Sequence, residues 1–134
     1  MKIVCYLNFN GNCEAALKFY QAALGGEIVY MQRYGDSPMQ VNDSYRNKVL
    51  HASFEFENNV IYASDVFEGS QIKRGDNMAI TLEPDSEEQI EQIYKHLSEG
   101  ATITMPLQDT FWDAKFASLI DKFGINWMLN FEKK

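Results

Sequence analysis

Residues 3–9 alternate, with Ile3, Cys5, Leu7 and Phe9 on one side of an extended chain and Val4, Tyr6 and Asn8 on the other. That period of two is the mark of a strand with one buried face. From Asn12 the period changes. Cys13, Ala16, Leu17, Tyr20 and Leu24 recur at helical spacing, with Asn12 as the expected N-cap and Gly25-Gly26 as the stop. A strand over 27–34 follows, then the polar loop "GDSPMQVNDSYRN". "KVLHASFEFE" and "VIYASD" read as two further strands, with the Asn58-Asn59 pair as their hairpin turn. After "EGSQIKRGD" the order starts again. "NMAITLE" alternates as a strand over 77–83, and Ser86-x-x-Gln89 forms a capping box at a helix start. Ile90, Ile93 and Leu97 give that helix its stripe, and Gly100 ends it. "ATITMPL", "AKFASLI" and "INWMLNF" complete the second set of strands.

The chain therefore reads as an α+β protein made of two copies of a β-α-β-β-β unit with almost no identity between the copies. One module spans about 1–66, a linker 67–76, and the second module 77–134 of a single domain. A length of 134 residues suits one domain. At 46% hydrophobic and 23% charged, the composition is that of globular material, and no apolar run approaches the ~20 residues of a membrane span. The first residues read as a strand and not as a signal peptide. A net charge of −7 with no basic patch argues against a nucleic-acid partner. Cys5 and Cys13 have neither disulfide-framework nor metal spacing, so reduced thiols in the cytoplasm are expected. Cys13 lies near a helix start, yet no base is close in sequence, and it reads as a buried structural thiol.

Several stretches carry a family resemblance: "YLNFNGNCEAALKFY", "RYGDSP", "LHASFEF" and "MPLQDTFWDAKFASLIDKFGINWMLN". With the duplicated unit, they make the chain resemble the glyoxalase/bleomycin resistance (vicinal oxygen chelate) superfamily, and within it the PhnB-like branch. The resemblance implies two curved mixed sheets around a cleft, with helices on the outer faces. It departs from the branch at Asp113, where relatives usually carry a small residue, and at Phe116-Ala117, where they often carry Phe-Gly. Metal-using relatives place His, Glu or Gln on the first and last strands of each module. By strand alternation those positions fall here at Val4, Tyr62, Asn77 and Met128, none of them a strong ligand for a divalent ion. The expectation is no metal and no other cofactor.

The cleft-facing set would then hold Tyr6, Asn8, Ser53, Glu55, Tyr62, Asn77 and Met128 as ligand-binding candidates. His51 shares its face with Ser53 and Glu55 and is the candidate acid or base, although an ordinary strand histidine fits the same pattern. His96 reads as solvent-facing, and the acidic group Glu83, Asp85, Glu87 and Glu88 as favourable charge at a helix start. Phe111 and Trp112, adjacent and between strands, are read as a pocket wall, a dimer contact or a loop plug. Three functions compete: a metal-free small-molecule binding protein, a metal-dependent lyase, isomerase or dioxygenase, and a metal-free acid–base enzyme using His51. Members of the branch are sometimes labelled ubiquinone-pathway methyltransferases, but no glycine-rich strand–turn–helix for a methyl-donor nucleotide stands in this sequence. Nor does a cluster of Arg and Lys for a phosphonate. A homodimer is expected, since members of the superfamily commonly pair.

Overall fold

The computed structural model describes residues 1–133, which divide into two compact units, 1–73 and 74–133. The first runs β1 (Cys5–Phe9), α1 (Cys13–Leu24), β2 (Glu27–Arg33), β3 (Val49–Phe56) and β4 (Asn59–Asp65). The second runs β5 (Ile80–Leu82), α2 (Glu87–Leu97), β6 (Thr102–Asp109), β7 (Ala114–Ile120) and β8 (Asn126–Glu132). Each unit builds one four-stranded sheet, in the order β1-β4-β3-β2 or β5-β8-β7-β6. The first strand of each unit pairs in parallel with the last, and the other pairings are antiparallel. The duplicated β-α-β-β-β order and the α+β class are as the pattern predicts.

In the first unit α1 lies against β2, β3 and β4 and buries Cys13, Ala16, Leu17 and Tyr20. The strands meet it with Leu7, Phe9, Ala52, Phe54, Ile61 and Ala63. Arg33 on β2 clamps the helix through a two-pronged ion pair to Glu14 at 2.9 and 3.0 Å, which holds the Glu14 carboxyl below its usual range. The second unit repeats the device with different residues. Ile90, Ile93 and Leu97 of α2 are buried, as are Trp127 and Leu129 of β8 and Leu119 of β7. Lys115 on β7 reaches Glu91 on α2 at 2.8 Å.

Four local expectations need correction. The hairpin turn is Glu57-Asn58, with φ of 45° and 65°, the mirror-image turn that matches strand twist. Asn59 instead opens β4, its side-chain amide donating to the carbonyls of Phe56 and Glu57, both at 3.1 Å. The strand expected from Asn77 starts only at Ile80, because Asn126 turns its side-chain amide to the carbonyls of Gly75 and Met78, both at 2.9 Å. Asn77 is thus an exposed residue ahead of β5. Ile3 and Cys5, assigned to the buried face, are exposed, since β1 is an edge strand whose pairing begins at Cys5.

The fourth correction concerns the cap of α1. Asn12 makes no side-chain capping bond. Asp65, at the end of β4, takes that role from across the unit. Its Oδ1 accepts the N–H groups of Gly11 and Cys13, each at 2.9 Å, and its Oδ2 accepts that of Val49 at 2.8 Å. Its backbone carbonyl accepts the Tyr34 hydroxyl at 2.8 Å. Burial pushes the Tyr34 phenol up to about 12, with Tyr45 and Asp65 adding to the rise. Ser86 behaves as expected: its hydroxyl accepts Gln89 N–H at 3.0 Å, and Gln89 reaches back to Asp85 N–H at 2.6 Å.

Candidate functional site

Alternation decides what the helix-free face of the first sheet carries. Leu7, Ala52, Phe54 and Ala63 point into the core, so Tyr6, Tyr62, Ser53 and His51 stand on the opposite side. The register aligns Tyr6, Tyr62 and Ser53 in one row across β1, β4 and β3. On the far side, Tyr30 of β2 pairs with Ser53 and Gln32 with His51. Tyr6 and Tyr30 are about half exposed, and His51 and Tyr62 partly buried.

The Tyr6 hydroxyl lies 3.0 Å from His51 Nδ1, spanning β4. Around that bond sit Tyr62, with its ring centroid 5.2 Å from the imidazole, and Tyr30, 6.1 Å from it. Tyr6 and Tyr62 meet edge to face at 6.3 Å. The Tyr30 hydroxyl donates to Gln32 Oε1 at 3.3 Å. Lys2 holds its ammonium 6.0 Å from the centre of the Tyr62 ring, a cation–π contact from the segment that precedes β1. The sheet thus brings His51, Tyr6 and Tyr62 together as a polar pair within an aromatic surround. Asn8, Ser53 and Glu55 share the face by alternation. Tyr30 and Gln32 belong to the group although the sequence did not single them out. Only the register of β2 on β3, which includes irregularities after Ile28 and Gln32, reveals them.

The other candidates lie in the second unit. Met128 occupies the helix-free face of β8, paired with Ser118 of β7, whose hydroxyl is 2.7 Å from Thr104 Oγ1. Phe111 and Trp112 form the tip between β6 and β7, edge to face at 4.9 Å. Phe111 is 96% exposed, and Trp112 is 49% exposed with its ring 6.2 Å from that of Phe116 on β7. Asp113, where the sequence departs from the pattern that the resemblance implies, adopts φ +62°, the left-handed conformation that glycine takes without strain.

The metal positions implied by the resemblance do not fit a divalent ion. Val4 has no donor and precedes β1, Asn77 precedes β5, and Tyr62 and Met128 supply a phenol and a thioether. Among the described residues no group of three or more His, Cys, Asp or Glu side chains could hold a metal ion. His96 is exposed, with Nδ1 at 2.9 Å from the Gln92 carbonyl of its own helix.

The two cysteines are equally distinct. Cys13 is fully buried, and burial with the nearby Asp65 and Glu14 carboxylates drives its thiol pKa far up; Cys5 is exposed. A thiol reagent such as dithionitrobenzoate is expected to label one thiol of the native chain and the second only in denaturant. Comparable native rates for a Cys5→Ser variant and the wild type would show that Cys13 is open.

Two units of β-α-β-β-β order, each with a four-stranded mixed sheet, define the glyoxalase/bleomycin resistance fold. A glyoxalase/bleomycin resistance protein/dioxygenase domain from Frankia shares it with a TM-score of 0.67 at 12% identity, over 100% of this chain and 93% of that one. Within that fold the chain belongs to the PhnB-like family described as 3-demethylubiquinone-9 3-methyltransferase, whose model matches residues 1–130. Protein YjdN of Escherichia coli K12 is 33% identical over 100% of this chain and 97% of its own length. Among solved structures, protein PA1353 from Pseudomonas aeruginosa is 36% identical with a TM-score of 0.90, covering 98% of each chain. A PhnB protein from Bacillus cereus, described as a putative 3-demethylubiquinone-9 3-methyltransferase, is 28% identical with a TM-score of 0.84, covering 98% of this chain and 99% of its own. No described helix is long and apolar enough to cross a membrane.

Proposed function

We propose that the protein binds a small molecule on the helix-free face of its first sheet, without a metal. The observation that carries this reading is the Tyr6–His51 hydrogen bond set among the Tyr30 and Tyr62 rings. Apolar surface with a few oriented polar groups is the composition of a ligand site. The methyl transfer in the family's description finds less support here. A nucleotide site of the doubly wound type uses the N–H groups of a glycine-rich strand–helix turn. In the β1–α1 turn, the N–H groups of Gly11 and Cys13 are already taken by Asp65.

A second reading rests on the same bond. With Nδ1 held by Tyr6, the imidazole has a fixed orientation and Nε2 is left to exchange a proton with a substrate. The two readings separate on His51→Gln, tested after nuclear magnetic resonance has shown which aromatic and aliphatic fragments shift Tyr6, His51 and Tyr62. A binding protein changes affinity only a few-fold, whereas an acid–base enzyme loses turnover of its substrate by about 100-fold or more. Fragments that shift no resonance on this face would sink both.

The exposed Phe111-Trp112 tip supports a homodimer, because large apolar surface is normally covered. Sedimentation at tens of micromolar is expected to show twice the chain mass, and Phe111→Ser with Trp112→Ser to halve it. A wild-type monomer would return the two rings to the pocket-wall reading. The unpaired thiols of Cys5 and Cys13 support a cytoplasmic location.

A further inference from the structure

We infer that the ligand of the Tyr6–His51–Tyr62 face is a small organic cation of the alkylammonium type. This rests on the binding reading above and specifies its chemistry. The rings are not arranged to stack a flat molecule. Tyr6 and His51 are inclined at 34°, Tyr30 and His51 at 49°, His51 and Tyr62 at 61°, and Tyr6 and Tyr62 at 71°. A planar ligand lying on one of these rings meets its neighbours at an angle, so it gains stacking from one alone. A rounded ligand carries no such restriction to a single ring.

Ring faces are electron-rich and attract a desolvated cation, most strongly when several surround it. The chain already demonstrates the preference, since the Lys2 ammonium stands 6.0 Å from the centre of the Tyr62 ring. Glu55 adds a carboxylate to the same face of β3, two positions beyond Ser53, and the chain as a whole carries −7. A diffusing cation would be drawn to this surface and would compete with Lys2 for Tyr62.

Choline and its neutral isostere 3,3-dimethylbutan-1-ol test the inference, with saturable shifts of Tyr6, His51 and Tyr62 resonances as the readout. Choline is expected to bind at least tenfold more tightly than the alcohol. Tyr62→Leu should weaken choline at least fivefold. Lys2→Met, which removes the internal ammonium ahead of the first strand, should tighten it two- to threefold. Equal affinity for choline and the alcohol on this face overturns the cation inference and leaves the binding site standing. Shifts by neither compound overturn the inference, and the fragment screen then decides the site. No tightening in Lys2→Met would show that Lys2 does not stand in for a ligand.

Discussion

Asp65→Ala is expected to destabilise the protein by on the order of 3–5 kcal/mol, read as a fall in the urea midpoint. The carboxylate is buried and serves three backbone donors, on Gly11, Cys13 and Val49, which belong to the start of α1 and the start of β3. An ionised group inside a protein is costly unless its oxygens are satisfied, and here they are, at the positive end of a helix dipole. Alanine leaves those donors buried without an acceptor. Asn12 cannot take over, since its side chain is not engaged at the cap. Asp65→Asn provides the graded control. One oxygen can still serve Gly11 and Cys13, but an amide NH₂ then faces the Val49 N–H, so the loss should be about half. A loss below about 1 kcal/mol for the alanine variant would mean that water satisfies these groups as well as Asp65 does.

Gly26→Ala is expected to cost about 3 kcal/mol or more, while Gly25→Ala next to it costs about 1–2. Both glycines have positive φ, 75° and 84°, so both pay the left-handed penalty once a Cβ is added. Only Gly26 also meets an obstacle. A Cβ there would sit 2.1 Å from the Glu55 carbonyl oxygen and 2.7 Å from Phe56 Cβ, whereas nothing lies within 4 Å of one at Gly25. The obstacle cannot swing away, because Glu55 is held in the sheet between Glu27 and Val60. Paired urea titrations measure the difference directly. Equal losses at the two positions would show that β3 yields to the added methyl group.

What could be read from the sequence follows from how local each signal is. The periodicity of Leu7 and Phe9 against Tyr6 and Asn8 was legible because alternation needs no knowledge of partners, and the same holds for the stripes of both helices. The Ser86 cap was legible because its acceptor and donor lie three residues apart. The Asp65 cap was not, since nothing in "YASDV" announces a turn it meets only after folding. The hairpin slipped by one residue for a related reason. Asn59 looked like a turn residue, yet its side chain works from the first position of β4. At the candidate site, Tyr6 and His51 followed from alternation and Tyr62 from the position that the family resemblance implies, while Tyr30 and Gln32 needed the register of an irregular β2.

The parallel seam between β1 and β4 has a kinetic consequence. Strands β2, β3 and β4 are neighbours in sequence and in space, and such short-range pairings close with little loss of chain entropy. Cys5, by contrast, must find Ile61 with the helix and the whole meander in between. The first strand should therefore dock last and detach first, its amides exchanging with solvent at a lower opening energy than those of β3. Tyr6 travels with it. In each opening His51 loses its hydroxyl partner and the aromatic surround loses a wall, so a bound molecule would slow hydrogen exchange along Cys5–Phe9 before it slowed exchange anywhere else in the unit.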